Sequence, residues 1–573
     1  MRPRLIAFFV VVLVVIGVVV VRVGALQTLD AKQLSAYGAT QRRDREILPA
    51  SRGIIFDRNH EELALSVERP TVWADPRAIV DKSATAIALA SALQLSASDT
   101  TSLRNRLDSN AEFVYVARTV EQPVADAVAA LKLKGVYFVD EPKRYLPAET
   151  LGRGVIGTTD DFGAGASGLE KQFDDVLTGT PGQLIREQDS RGRTIPQGRH
   201  EVVPAQPGDD LVLTLDRTLQ YFTEQQLLQR VKETGAKGGM VVVLDTKTGD
   251  VLAMASVKTD PTTHGVAIAP YNAAVVDTYE PGSVAKIITA SAALQEGTIS
   301  AGELFTVPWF MKFGTDVISD AEPHPTQTWS VKDILVHSSN IGTSLISKTM
   351  TGQTQEKYMR AFGLGEPTGL DFPGESQGIL APSDKWYGSQ RVTVAYGQGV
   401  AVTAVQLAAA MNTIANGGNY VAPRLVEATI DRSGQEHVNS PAPGRSVLSS
   451  TVADQMTGIL TGVVCEGNGG KAQIAGYTVA GKTGTAYKAQ SNGTYLDSAG
   501  NKHYYASFAG YVPAEDPRLT ILASIDEPNG DVHFGALAAA PLFSEVAQEA
   551  LRQVNVPPSA NGGGCPAPAG KGG

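Results

Sequence analysis

Ser283 and Lys286 stand one helical turn apart in EPGSVAKIITASAAL, directly after a Pro281-Gly282 turn. The apolar-periodic run that follows reads as a helix, with the serine in its first turn and the lysine on the same face. A serine hydroxyl is a poor nucleophile until a neighbouring base takes its proton. A lysine partly desolvated beside it can be that base, because burial disfavours the ammonium form. Free N–H groups at a helix start suit a developing oxyanion. HSSNIG brings Ser338, a hydroxyl able to relay a proton to a leaving amine, and Asn340, an amide able to hold a peptide. GYTVAGKTGTA brings Lys482 as a positive charge and Thr483 and Thr485 as hydroxyls suited to a terminal carboxylate. Its Gly484 would let a substrate backbone come close, and an exposed strand edge there could pair with an extended peptide. The chemistry this set describes is acyl transfer from a peptide through a serine ester.

No single piece is specific. Lys247-Thr248-Gly249 repeats the K-T-G triplet and reads as a hairpin turn. Ser338-Ser339-Asn340 alone would suit a loop or a helix cap. Gly476 to Thr483 also fits the phosphate-loop pattern G-x-x-x-x-G-K-[ST] at every fixed position. That pattern should follow a buried strand and open a helix, whereas YTVA between its glycines is β-prone and Gly484 is a poor helix start. The order carries the reading: serine at a helix start, then S-x-N, then K-T-G on a late strand.

The N-terminus sets the compartment. Leu5 to Val21 is uninterrupted apolar sequence that continues weakly past Arg22 to Leu26, about enough to cross a bilayer. Arg2 and Arg4 precede it, so the short N-terminus is expected in the cytoplasm. Val23-Gly24-Ala25 could pass for a signal-peptidase site, but such apolar cores run to only ~7–15 residues. Everything after about residue 26 is therefore expected outside, away from ATP, GTP and magnesium. The 573 residues carry 49 Lys and Arg against 59 Asp and Glu, for a net charge of -10, which gives nucleic acid no basic face. No Cys-x-x-Cys and no HExxH occur, so neither a metal nor another cofactor is expected. Cys465 and Cys565 could pair in an oxidising compartment, and the sequence leaves that open.

The elements that must position this chemistry fall into four stretches: 1–26, tip and membrane anchor; 27–207, stalk and pedestal; 208–554, catalytic domain; 555–573, disordered tail. Gln27 to about Arg45 is polar with helical character, a stalk. In SRGIIFDRNHEELALS the pattern is strand, turn, strand. KSATAIALASALQL and EQPVADAVAALKL read as helices around the strand FVYVART. The Pro/Gly-rich VVPAQPGDD marks the boundary. Beyond it come a strand in DLVLTLD, a helix from RTLQYF to Gly235, and a hairpin of GMVVVLD and DVLAMAS. YTVAGKTGTA, YYASFAGYV and LTILASID follow far downstream as strands, with a closing helix from about Leu542 to Val554. The fold class is α+β, with an antiparallel sheet flanked by helices in the catalytic domain.

With these motifs in place the chain resembles a class B penicillin-binding protein, a monofunctional peptidoglycan D,D-transpeptidase. RGIIFDRN, RYLP, GASGLEKQFDDVLTGTPG, LVLTLDRTLQ, DTKTGDVLAMAS, VAYGQGVAVTAVQLA and GYTVAGKTGTA carry the resemblance over nearly the whole chain after the anchor. It implies that Ser283 is acylated, Lys286 is its base, Ser338 shuttles a proton and Asn340 holds the donor peptide. Lys482, Thr483 and Thr485 would fix the carboxylate of a D-Ala-D-Ala stem, and the N–H groups of Ser283 and Thr485 would form the oxyanion hole. Arg52, Gly53, Asp57, Arg58, Gly168 and Glu170 fall on motifs that tie the pedestal together. His60 stands where the family has glycine, so Asn59 is expected to take the left-handed turn conformation. YVARTVEQPVADAVAALKLKGVYF and the short pedestal resemble the septal, FtsI-type branch. Implied partners are stem peptides, the lipid-linked precursor, β-lactams bonded to Ser283, and an FtsW-type membrane glycosyltransferase with other division proteins. An elongation-type enzyme is the alternative, and a β-lactam hydrolase or sensor shares the same trio. A hydrolase needs a deacylating base that the sequence does not reveal, and a sensor needs a cytoplasmic domain.

Overall fold

The computed structural model describes residues 2–28, 43–187, 195, 198, 200–314, 316–490, 492–559 and 562–565. Arg2–Thr28 is a single helix of 27 residues whose most apolar window has a mean hydropathy of 3.2. At 1.5 Å per residue it is about 40 Å long, enough for a bilayer. Most of the expected stalk lies outside the described residues. Its end is a strand rather than a helix: Arg43–Leu48 pairs antiparallel with Gly182–Glu187, which in turn pairs with His200–Val203. The pairing satisfies backbone groups that a polar helix with no apolar stripe had no packing reason to order.

Two compact units interleave along the chain: residues 1–51, 68–142 and 178–208 form one, and 52–67, 143–177 and 209–573 the other. Within the first, helices Lys82–Ala92, Ala97–Leu107 and Gln122–Ala130 bury Leu89, Leu103, Leu107 and Val128 with Val72 and Val116 of a small sheet. Asp81 and Ser96 cap two of these helices through Ala84 N and Asp99 N.

The second unit is built on a six-stranded sheet. Its order is Val266–Ile268, Val251–Thr259, Gly238–Asp245, Leu519–Asp526, Tyr504–Val512 and Ala480–Tyr487, every neighbour antiparallel. Side chains alternate between its two faces. Met240, Val242 and Leu244 enter one core, which includes helices Lys286–Gln295, Ala404–Ala415 and Ser450–Cys465. Val241 and Val243 enter the other, with helices Arg217–Thr234 and Ala540–Gln553. Strands covered on both faces read as near-continuous apolar runs, which explains GMVVVLD. Ala404–Ala415 is buried along its whole length, and a Thr403/Gln406 capping box closes its N-terminus. The fold is α+β as expected, and the K-T-G segment is the sheet's edge strand.

Two local expectations fail. His60, not Asn59, takes the left-handed conformation, with φ +62°. Asp57 Oδ1 accepts from both Asn59 N (2.7 Å) and Glu61 N (2.9 Å), which fixes the turn so that position 60 must reverse. The family's glycine would be at ease there, and histidine costs roughly 1–2 kcal/mol. The tail is also not free throughout. Ser559 N donates to Gly476 O, Gly564 N donates to Tyr477 O, and Cys565 is disulfide-bonded to Cys465. Residues 566–573 lie outside the described residues.

Candidate active site

Gly282–Ala285 is a 3-10 turn that runs straight into helix Lys286–Gln295. Ser283 is thus one tight turn ahead of the α-helix rather than inside its first turn. The turn is wedged between glycines. A Cβ on Gly397 would come within 2.2 Å of Gly282 O. A Cβ on Gly484 would meet Ser507 Oγ at 2.3 Å, Val284 Cγ2 at 2.9 Å and Pro281 O at 3.1 Å. The close approach that Gly484 permits is therefore that of the nucleophile turn, not of a substrate as its position in the triplet suggested.

Ser338 sits between helices Val331–Val336 and Asn340–Lys348, at φ +54°. A left-handed serine is strained and persists only where its surroundings over-determine it. Here Asp320 supplies the constraint. Its carboxylate accepts from Ser339 Oγ (2.6 Å) and Ile341 N (2.9 Å), and His324 Nε2 lies 3.0 Å away. Ser339 in turn caps the helix through Gly342 N. Asn340 Nδ2 donates to Ser319 O at 3.0 Å, so the hairpin Phe310–Phe313/Asp316–Ser319 fixes the amide as well.

Lys286 and Lys482 are both completely buried and converge on Ser338 Oγ, at 3.3 and 2.9 Å. Lys286 Nζ also donates to Asn340 Oδ1 (2.9 Å) and to Ser338 O. Burial, reinforced by the charge of Lys482 and opposed by Asp320, holds Lys286 well below the ordinary lysine range. Burial alone pushes Lys482 down to about 7. A neutral lysine has two N–H bonds and one lone pair. Ser338 O and Asn340 Oδ1 can only accept, so they take both N–H bonds and leave the lone pair for a hydroxyl. Ser283 Oγ makes no hydrogen bond among the described residues; apo sites often tighten only around substrate.

The threonines are held too. Thr483 Oγ1 donates to Asn468 Oδ1 at 2.8 Å, and Gly535 N donates to Thr485 Oγ1 at 3.1 Å. Glu280 lies just ahead of the nucleophile turn and accepts from Gly399 N and Tyr495 Oη. Sequence reading missed Asp320, Asn468, Glu280 and Tyr495. The spacing of S-x-x-K, S-x-N and K-T-G carries no trace of them: Asp320, Asn468 and Tyr495 come from outside the three motifs, and Glu280, three residues before Ser283, is revealed only by the partners its carboxylate meets.

The pedestal motif residues gather in the second compact unit. Glu170, 1% exposed, accepts from Arg52 Nε (2.5 Å) and Arg144 Nε (2.6 Å), while Arg52 Nη1 also reaches Asp174 at 2.6 Å. Arg144 donates to Gly53 O, where a Cβ would fall 2.0 Å from Asp209 O. Gly168 adopts φ +59° against the Gly157 backbone. Asp57 Oδ2 accepts from Arg217 N at the start of its helix. Among the described residues Arg58 joins through its backbone, donating to Leu215 O. Arg52, Arg144 and Glu170 thus form a largely buried ion-paired knot, with Arg144 Nη2 left without a hydrogen bond among the described residues, and breaking it would strand an ion.

Comparison with known proteins agrees with this geometry. Residues 239–548 match the penicillin binding protein transpeptidase domain, and residues 47–213 the penicillin-binding protein dimerisation domain. The chain belongs to the class B penicillin-binding proteins. It is 34% identical to penicillin-binding protein PbpB of Mycolicibacterium smegmatis, covering 96% of this chain and 90% of that one. It is 32% identical to peptidoglycan D,D-transpeptidase FtsI of Escherichia coli, covering 94% and 90%. The ampicillin complex of penicillin binding protein 3 from Mycobacterium tuberculosis superposes with a TM-score of 0.69 at 30% identity, over 91% of this chain and 99% of that one. This class B protein is a peptidoglycan D,D-transpeptidase.

Proposed function

We propose that this transpeptidase cross-links stem peptides through an ester on Ser283 and works in septal wall synthesis. The observation that carries the reading is the convergence of two fully buried lysines on one serine hydroxyl. Only one of the pair can hold a proton cheaply at neutral pH. Lys286, lowered by burial and by the neighbouring Lys482 charge, serves as base, and Lys482 keeps the charge that an anionic substrate requires.

Ser283 Oγ attacks the carbonyl between the two D-alanines while Lys286 takes its proton. The tetrahedral oxyanion lies against the N–H groups of Ser283 and Thr485. Collapse breaks the peptide bond, and Ser338 hands a proton to the departing D-alanine amine. Asn340 holds the donor peptide along the edge strand, and Lys482, Thr483 and Thr485 bind its carboxylate. The amine of a neighbouring stem then attacks the ester, forms the cross-link and frees Ser283. A β-lactam follows the same first step but keeps its leaving group tethered, which leaves the ester stranded.

The long N-terminal helix supports a single-pass anchor, with Arg2 and Arg4 retaining the short tip in the cytoplasm and the catalytic domain outside. Likeness to FtsI supports the septal assignment and a membrane glycosyltransferase of the FtsW type as partner. The lipid-linked precursor reaches this enzyme after polymerisation by that partner. The direct test is D-alanine release from a stem pentapeptide by the detergent-solubilised chain. Wild type should release it and Ser283→Ala should not; equal release would refute the nucleophile. Depletion in the native cell should give filaments of normal diameter. Rounded cells would favour the elongation role instead.

A further inference from the structure

The segment after the K-T-G strand is a built loop rather than a loose connection. Lys488 N donates to His503 O at its base, and Lys488 Nζ is pinned by Asp526 (2.7 Å) and Glu527 (2.8 Å). His503 lies between Asp497 and Glu527, at 3.1 and 2.8 Å. From that base the loop carries Tyr495 back to the segment before the nucleophile. Tyr495 Oη donates to both carboxylate oxygens of Glu280, at 2.8 and 3.0 Å. Gly399 N donates to Glu280 Oε1 at 2.8 Å from a third side.

The nucleophile turn leans on the same support. Tyr279 and Val402 exchange backbone hydrogen bonds, and Gly282 N donates to Gly397 O. The backbone on both sides of Glu280 is therefore fixed to residues 397–402, and its side chain links that frame to the loop. Burial raises the Glu280 carboxyl, and burial with the Glu280 charge pushes Tyr495 up. The tyrosine is accordingly a secure donor and Glu280 a costly charge to leave without one.

We propose that Glu280 is a positioning residue: with Tyr495 it forms a latch that holds the 492–503 loop against the nucleophile turn and keeps Ser283 ready for acylation. The inference rests on the acyl-serine reading above. Glu280 touches no reacting atom; it acts through the turn it precedes.

The test measures second-order acylation of the full chain by a fluorescent penicillin, beside trypsin cleavage at Lys488 and Lys502. Tyr495→Phe should slow acylation about 10-fold, the worth of one hydrogen bond to a charged group, and hasten cleavage. Glu280→Gln should slow it as well, and adding Tyr495→Phe to that variant should cost little more. Glu280→Gln guards against misfolding as an explanation, since it keeps the acceptor for Gly399 N. Acylation at the wild-type rate in Tyr495→Phe, or fully additive losses in the double variant, would overturn the latch. Failure of the wild type itself to acylate would instead overturn the reading of the site.

Discussion

Ser338 concentrates the chemistry at the residue scale. Two lysine ammonium groups at 2.9 and 3.3 Å from one hydroxyl cannot both be charged without water to screen them. The protein therefore separates their roles by environment, as acid and base pairs must. The consequence is a pH profile. Acylation needs Lys286 neutral and Lys482 charged; burial and the Lys482 charge lower Lys286, and burial lowers Lys482 to about 7. The rate should rise with pH as Lys286 gives up its proton and fall again near pH 7, where Lys482 loses its charge in the free enzyme. Lys482→Arg, which stays charged, should act more slowly but shift the falling limb well above pH 9. A limb unmoved in that variant would assign it to another group. The residues proposed to react could be picked out from sequence because each sits in a short motif of fixed spacing. The residues that hold them were not. Asp320 constrains Ser339 from the hairpin before it, and Asn468 reaches Thr483 across 15 positions.

At the scale of elements, the large sheet was legible because its strands are short apolar runs between turn residues, and its helices because of their caps and periodicity. What sequence hid were the pairings. Arg43–Leu48 forms a strand only because Gly182–Glu187 comes alongside. The tail is held by Tyr477 and by Cys465, the latter 100 positions from its partner Cys565. Helix Arg217–Thr234 shows a further hidden feature. Glu224, 3% exposed, faces inward and accepts from Gln220 Nε2 and Gly152 N. Burial raises its carboxyl to about 7 despite those two bonds. A carboxyl raised on folding stabilises the protein below its unfolded value, and that contribution is lost as pH climbs through the folded value. Glu224→Gln keeps an acceptor without the charge. It should match the wild type at pH 4.5 and exceed it by roughly 3 kcal/mol at pH 8, at ~1.36 kcal/mol per unit. Thermal unfolding at the two pH values reads the difference; an equal gap at both would contradict it.

For the whole molecule, the pedestal and catalytic domains follow one another along the chain, while the compact units interleave and do not coincide with them. Residues 52–67 and 143–177 belong to the same compact unit as the transpeptidase sheet. The knot of Arg52, Arg144, Glu170 and Asp174 ties these two segments to each other, and hydrogen bonds from Ile54 N to Asp210 and from Arg217 N to Asp57 join them to the rest of that unit. Motif reading identified Arg52 and Glu170 as structural but could not reveal which body they stabilise. The Cys465–Cys565 disulfide fits the proposed placement of the catalytic domain outside the membrane, since disulfides persist in oxidising compartments. The central claim is that Ser283 forms a long-lived ester. Intact-mass spectrometry of the solubilised chain with penicillin, beside Ser283→Ala, tests it most directly. A single penicillin adduct that lasts for hours in the wild type and is absent from Ser283→Ala is the predicted result. An adduct that survives in Ser283→Ala, or one that vanishes within seconds as the drug is consumed, would contradict the account.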